Sequence, residues 1–261
     1  MSFSLKRKIA RIVLALENML GIPEQPEKRA EPLDMLIATI LSQNTNDRNS
    51  YRAYQTLRNK YPTWEAVLHA RTASIGSAIK TGGMATQKSS RIKKILQELI
   101  HRYGTLDLSF LNKETNEKIF ELLTSLDGVG TKTASCVLLF SLRREVFPVD
   151  THIFRICNRL GITNNSKTPD TTFIAVQGSI PAGKSYSFHT NLIRFGRKIC
   201  KANNPLCSIC SLYDLCEFSE KEKFRRKQPA PGKRADYNFM ILDNVISHPP
   251  SHQPLSQAER K

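Results

Sequence analysis

The sequence predicts an all-α protein. Two observations carry that expectation: between residues 4 and 199 apolar side chains recur at helical spacing, and nowhere does a sustained apolar–polar alternation mark a strand. A chain of 261 residues has length for one or two domains and an ample core, and no internal repeat divides it. Residues 4–20 interleave Leu5, Ile9, Ile12, Val13, Leu16 and Leu20 with Lys6, Arg7, Lys8 and Arg11, the pattern of an amphipathic helix that packs on a core. A mitochondrial targeting segment is the competing reading of such a basic helix; Glu17 and the lack of a serine-rich stretch argue against it. Leu33, Leu36, Ile37, Ile40 and Leu41 fall at i, i+3, i+4, i+7 and i+8, and Ile92, Ile95, Leu96, Leu99 and Ile100 repeat the pattern, so each set marks a helix with one buried face. Further helices are expected over 47–61, 72–80, 115–126, 132–142, 151–160 and 184–199.

Charge narrows the class of partner. The chain carries 39 Lys and Arg against 23 Asp and Glu, a net charge of +16, so a polyanion is the natural expectation; a solvated basic surface or an anionic membrane contact is the alternative. No apolar run approaches the roughly twenty residues of a membrane span. After Cys216 the composition shifts: Lys221, Lys223, Arg225, Arg226, Lys227, Lys233 and Arg234 surround Pro229 and Pro231, and Pro249, Pro250 and Pro254 follow. This tail, 218–261, is expected to be mobile or only locally ordered, its basic half either adding sequence-independent affinity for a polyanion or simply being solvated. A short apolar patch within it, Phe239, Met240, Ile241 and Leu242, is a candidate to dock back onto the body.

Two motifs stand about twenty residues apart. In the first, Leu126-Asp127-Gly128-Val129-Gly130-Thr131-Lys132-Thr133-Ala134, a tight Gly-x-Gly turn leads into a helix and offers backbone N–H groups and a positive dipole end to a phosphate. Gly128, Val129, Gly130 and Thr131 are therefore candidates for docking a nucleic-acid backbone. In the second, Val149-Asp150-Thr151-His152, Pro148 fixes the approach to the next helix, and Asp150 is placed to cap it. Taken singly, each is ordinary: a helix-entry turn, a surface lysine at 132, a capping aspartate at 150. Together they would bring an amine and a carboxylate beside a bound phosphate.

A third signal is the set Cys200, Cys207, Cys210 and Cys216, spaced C-x6-C-x2-C-x5-C. Four cysteines within seventeen residues suit one metal centre, either zinc or an iron–sulfur cluster. Structural zinc more often uses two C-x2-C hooks, whereas the single short pair with wider flanking loops suits the bulk of a cubane, so [4Fe–4S] is favoured. Disulfides are the weaker reading because the cysteines are clustered and no signal peptide is evident. Cys136 and Cys157 lie in apolar helical stretches and read as buried core thiols.

The order of these three motifs resembles the endonuclease III family of base-excision DNA glycosylases, over about residues 30 to 217. The resemblance implies two helical domains with a DNA-binding cleft between them: a six-helix domain with the helix-hairpin-helix at 31–143, and an iron–sulfur domain at 144–217 against which the N-terminal helix of 1–30 packs. It implies a bifunctional DNA N-glycosylase with apurinic/apyrimidinic lyase activity, a [4Fe–4S] cofactor, and as partner double-stranded DNA with a damaged base or an abasic site. Lys132 matches the family's nucleophile and Asp150 its aspartate. A base inside a duplex exposes no C1′ to attack, so the nucleotide must be extruded and its gap filled. Asn44 matches the family's gap-filling glutamine, with Gln43 as the fallback, and Met84 corresponds to a leucine entering the stack from the other side. Without the resemblance, 42–47 reads as an interhelical turn with Asn46 as a cap, and Met84 as core or loop filler. His152 and Lys201 complete the DNA-binding candidates. Lys132 attacks C1′ as a neutral amine, while Asp150 stabilises positive charge developing on the sugar and helps to move protons; the Schiff base then permits β-elimination.

Two departures from the family pattern matter. Asp127 stands where the family usually has proline, which puts a carboxylate beside the phosphate-docking loop and predicts weaker phosphate affinity there. Lys201 is followed by Ala202, Asn203, Asn204, Pro205 and Leu206 where the family carries several basic residues, so Arg194, Arg197 and Lys198 are the candidates to compensate. The leading expectation is removal of damaged, oxidised or reduced, pyrimidines. The alternatives are a mismatch glycosylase for thymine or uracil, or one for methylcytosine, and, in another class, a non-catalytic iron–sulfur DNA-binding or redox-sensing protein. A monomer is expected, not secreted: in the cytoplasm of a prokaryote, or in the nucleus or mitochondrion of a eukaryote.

Overall fold

The computed structural model describes residues 3–163, 165–226 and 240–245; the expectations for Phe239 and for most of the basic tail fall outside them. Among the described residues every regular element is helical, as the apolar spacing predicts. None of these helices is long and apolar enough to cross a membrane.

In chain order the α-helices are α1 (Phe3–Leu20), α2 (Pro32–Ser42), α3 (Asp47–Lys60), α4 (Trp64–His69), α5 (Thr72–Ala78), α6 (Ala85–Tyr103), α7 (Asn116–Thr124), α8 (Thr131–Cys136), α9 (Thr151–Arg159), α10 (Pro169–Val176), α11 (Ser185–Lys198), α12 (Lys221–Arg225) and α13 (Ile241–Asn244). The short helices α4 and α10 were not marked by the apolar spacing; both announce themselves at their starts, where Thr63 and Thr168 accept the N–H groups of Ala66 and Thr171. The helix expected over 132–142 divides. After α8 the chain widens into a π-helical turn, Val137–Ser141, with all five side chains buried. That turn lies between the two halves of the molecule, and Phe140 packs edge-on against both Tyr186 and His189 of α11, at centroid distances of 5.7 and 5.5 Å.

The buried side chains form two cores. One is built on α2 to α8, with the indole of Trp64 under the Arg58 guanidinium at its margin. The other joins α1, α9 and α11. The face of α1 that carries Ile9, Ile12, Val13 and Leu16 is buried against α11, and Glu17 accepts from Lys184 at 3.0 Å and from Ser187 at 2.7 Å. The amphipathic helix therefore does pack on the body, and its one acidic residue is a fixed ion-pair partner. Cys136 and Cys157 are buried, as expected. The apolar patch after the basic tail also docks back: Met240 belongs to the α1/α9/α11 core, while Ile241, Leu242 and Val245 belong to the other.

Candidate active site and nucleic-acid cleft

A cavity of about 690 Å³ opens between the two cores. Lys132 and Asp150 both line it, together with the 42–45 turn, His152, His189 and Arg197. Lys132 sits in the first turn of α8, immediately beyond Gly130 and Thr131. Asp150 is the N-cap of α9: its Oδ1 accepts the Ile153 N–H at 2.8 Å. The ordinary reading of this aspartate is thus correct as far as it goes, and the cap fixes the carboxylate in the cavity wall. Lys132 and Asp150 act on the same neighbours. The thiol of Cys136 is raised by burial, pulled down by Lys132 and pushed up by Asp150. Burial lowers the His189 imidazole to about 4, against the pull of Asp150, so the ring is neutral at physiological pH. Its Nδ1 lies 3.0 Å from the carbonyl of Pro148, two residues before Asp150.

The hairpin before α8 shows why its first glycine is required. Gly128 has φ +71°, and a Cβ there would fall 1.9 Å from Nε of Arg91. Gly130 is extended, and apart from its chain neighbours no protein atom lies within 4 Å of where its Cβ would stand. Val129 is turned into the core, and its N–H closes the turn on the Leu126 carbonyl at 3.1 Å. Its side chain is therefore unavailable to a ligand, unlike the open backbone at Gly130. Asp127, the expected liability beside this loop, is paired with Lys94 at 3.5 Å, so its charge is partly offset.

The two gap-filling candidates come from different loops and meet. Asn44, at φ +54°, donates from Nδ2 to the sulfur of Met84 at 3.6 Å, and Met84, at φ +50° and 47% exposed, precedes α6. Asn46 is also the cap it reads as, accepting the Asn49 N–H at 2.9 Å. Gln43 is tied away from both: it accepts from Arg91 Nη1 at 3.0 Å and points its amide at the Gly128 carbonyl at 3.5 Å, so it couples the turn to the hairpin. Beneath the two loops lies Lys88, 2% exposed, whose Nζ donates to the carbonyls of Leu41 and Gly82 at 2.8 Å each. Burial lowers this ammonium to about 8.

His152 lies in the cavity wall with Arg155 Nη2 3.3 Å from its Nδ1; burial lowers its imidazole. Of the basic residues on α11, Arg197 lines the cavity and is engaged by Asp47 at 2.9 Å, so it serves in part as a fixed internal partner. Lys201 is not among the lining residues; it stands in the cysteine loop, where its carbonyl accepts from Arg159 at 2.7 Å.

Cys200, Cys207, Cys210 and Cys216 line one smaller cavity on the far side of α9. Among the described residues no group of three or more His, Cys, Asp or Glu side chains is gathered tightly enough to hold a metal ion. The ligands of a cubane stand further apart, each on its own iron, and four thiols distributed around one cavity suit that arrangement better than convergence on a single ion. Burial and mutual repulsion push the thiols of Cys207 and Cys216 up, and burial pushes Cys210 up to about 12, so thiolates there require a compensating cation. The loop is anchored to α9: Arg159 reaches the Cys200 sulfur at 3.4 Å and the Ala202 carbonyl at 3.1 Å, and Arg155 donates to the Cys200 carbonyl at 2.8 Å.

Several site residues escaped sequence reasoning. Lys88 left a signal, since it falls four residues before Ile92 on the apolar stripe of α6, where a charge is out of place. Asp47, Arg91 and His189 left none, because their partners are brought together only by the fold.

The model of a family described as HhH-GPD superfamily base excision DNA repair protein matches residues 37–182. The chain is similar to Endonuclease III of Thermotoga maritima, 37% identical over 205 residues that cover 78% of this chain and 91% of that one. It is also similar to Endonuclease III of Haemophilus influenzae, 33% identical over 221 residues, covering 84% and 99%. Among solved structures, a non-covalent Endonuclease III–DNA complex superposes with a TM-score of 0.73 at 26% identity, over 85% of this chain and 99% of that one, and a trapped covalent Endonuclease III–DNA intermediate does so equally well. A thermostable thymine-DNA glycosylase, 22% identical with a TM-score of 0.69 over 84% of this chain and 98% of that one, shares the fold.

Proposed function

The chain belongs to the HhH-GPD superfamily of base excision DNA repair proteins, and from that premise we propose that it is a bifunctional DNA N-glycosylase and abasic-site lyase in which Lys132 is the nucleophile and Asp150 its partner. One observation carries the assignment: an amine at the start of α8 and a carboxylate at the start of α9 face the same cavity, beside a hairpin whose backbone is open at Gly130. Double-stranded DNA with a damaged base or an abasic site is the partner, and the net charge of +16 suits it.

The reaction follows from what each group is free to do. The hairpin holds a phosphate through backbone N–H groups at the start of α8. Asn44 and Met84, side by side at the mouth of the cleft, occupy the space of the extruded nucleotide. The neutral amine of Lys132 attacks C1′; the N–C1′ bond forms as the glycosidic bond breaks, and the base leaves with the bonding pair and takes up a proton. Asp150, held by its cap, stabilises the positive charge that develops on the sugar, and accepts a proton from the lysine nitrogen. Opening of the sugar gives a protonated Schiff base, loss of a C2′ proton expels the 3′ phosphate, and water releases the lysine. The damaged base is an oxidised or reduced pyrimidine.

The endonuclease III family carries a [4Fe–4S] cluster, and in this chain Cys200, Cys207, Cys210 and Cys216 are the residues that would hold it. Its role there is structural: it would tie the cysteine loop to itself while Arg155 and Arg159 tie that loop to α9.

The test is to incubate the protein with duplex DNA containing one abasic site, add borohydride, and compare Lys132→Gln with wild type on a denaturing gel. A covalent adduct made by wild type and absent from the variant is expected; an adduct of equal yield in Lys132→Gln overturns the assignment. Tight DNA binding with no adduct in wild type favours a monofunctional glycosylase or a non-catalytic binding protein instead.

A further inference from the structure

Residues 240–245 lie well beyond the family match, which ends at residue 182, yet they return to the catalytic cavity. Met240, Ile241 and Leu242 line it beside Val149, Pro169 and Ile193, and Leu242, 7% exposed, is the most open of the three. The segment is held from both sides of the cleft. The Ile241 N–H donates to Asp47 Oδ2 at 3.1 Å, and the same oxygen accepts from Arg197 of α11 at 2.9 Å. The hydroxyl of Tyr186 on α11 donates to Asp243 at 2.9 Å, and Asn244 closes back on the Met240 carbonyl at 2.7 Å. Side chains of the segment enter both hydrophobic cores. The segment could leave only by breaking these buried contacts, and in this structure it forms part of the wall.

The cavity is otherwise polar on the sides that carry Lys132, Asp150 and the 42–45 turn. An extruded base needs one apolar surface to lie against, and polar groups at its edges. We propose that residues 240–245 are the specificity wall of the base pocket, packing against the apolar C5 edge of an extruded pyrimidine, so that this segment selects the base while Lys132 and Asp150 carry out the chemistry. This rests on the glycosylase reading above. Discrimination by an apolar wall turns on single methyl groups: a gained or lost methylene in such a pocket is worth roughly 10- to 200-fold in rate. The substrate class is therefore set at C5, methyl against hydrogen.

The experiment compares full-length wild type, Leu242→Ala, Ile241→Val and Tyr186→Phe on pairs of pyrimidines that differ by one C5 methyl: dihydrothymine against dihydrouracil, and thymine against uracil opposite guanine. Borohydride trapping at an abasic site, which offers no base to the wall, is read in parallel, and a thermal melt verifies folding. The expected result is a change of roughly tenfold or more in the methyl-to-hydrogen excision ratio for Leu242→Ala, a smaller shift in the same direction for Ile241→Val and Tyr186→Phe, and adduct yields close to wild type. Ratios unchanged in all three folded variants overturn the proposal. So does a folded variant whose trapping falls as far as its excision, because the segment then serves the chemistry and not selection. If Leu242→Ala fails to fold, the two conservative variants decide alone. Wild type that traps no abasic site is a different failure, that of the glycosylase/lyase reading itself.

Discussion

The two ends of α9 face two different cavities. At its N-terminal end Asp150 looks into a space of about 690 Å³, with one carboxylate oxygen held by the Ile153 N–H. At its C-terminal end Arg159 is fully employed: Nη1 and Nη2 hold the carbonyls of Lys201 and Ala202, the guanidinium lies 4.3 Å over the ring of Phe218, and the Arg159 carbonyl accepts from Glu217 at 2.8 Å. One end presents a group to a ligand that comes and goes; the other is locked into protein. The helix between them is nine residues long, roughly 14 Å, so the locked end sets where the open end points. The cysteine loop can thereby bear on where Asp150 points without itself lining the larger cavity.

The sharpest way to separate the two ends is to change the open one without disturbing the helix. Asparagine caps a helix about as well as aspartate, so Asp150→Asn keeps the cap and removes the charge. Steady-state base excision should fall by roughly 10²- to 10⁴-fold, while the melting temperature stays within a degree or two of wild type. Asp150→Ala loses both roles, and about 1 kcal/mol of stability disappears with the cap. If the Asn and Ala variants both kept wild-type activity and differed only in their melts, Asp150 would be a cap and nothing more.

Breaking the locked end should act through stability first. Cys210→Ser removes the most strongly perturbed of the four thiols. The wild-type protein is expected to be brown, with broad absorbance at the violet end of the visible and about four irons per chain. The variant should lose that absorbance and an amount of stability on the order of 3 kcal/mol, roughly 5–10 °C in Tm. Stoichiometric zinc without iron in wild type would reject the cluster.

A third break falls on the floor of the cleft. Lys88→Met leaves the carbonyls of Leu41 and Gly82 without their donor, at a cost of roughly 2 kcal/mol, and loosens the 42–45 turn and the Met84 loop together. The pH dependence identifies the cause. Burial lowers the folded ammonium from its ordinary 10.5 to about 8, so between pH 8 and 10.5 the unfolded chain holds a proton that the folded chain has released. Stability from this group is thus lowest near neutrality and rises with pH across that window. Urea melts from pH 7 to 10.5 should show the rise in wild type relative to Lys88→Met; parallel curves would mean that the amine is not buried as a charge.

How much of this was legible in the sequence depends on whether the signal was local. The helices of α1, α2 and α6 follow from apolar spacing, and short motifs single out Lys132, Asp150 and the four cysteines as candidates, because in each case neighbours in sequence share one face or one loop. Asn44 and Met84, forty residues apart, were singled out only through family resemblance, and as entering the stack from opposite sides; that they touch is seen only in the fold. Asp47 shows the limit: it opens α3 like any acidic first-turn residue, yet it joins α11 to residues 240–245, partners 150 and 194 positions away. Val129 was a candidate through its backbone alone; its side chain belongs to the core and its N–H closes the turn on the Leu126 carbonyl.

The smallest expected effect concerns Met84, which reads either as loop filler or as a wedge, and here stability and function should move in opposite directions. A methionine at φ +50° is held in the left-handed region, where asparagine is tolerated better. If the loop existed only to connect α5 to α6, Met84→Asn would be favourable on every count. As a wedge, Met84 accepts that backbone cost because an exposed apolar side chain beside Asn44 is what enters the stack. Met84→Asn should therefore melt higher, by about 0.5 kcal/mol, and excise a paired damaged base a few-fold more slowly, while cleavage of an abasic site, which needs less unstacking, changes less. Equal rates on both substrates would return Met84 to the role of filler and leave Asn44 as the gap-filling side chain.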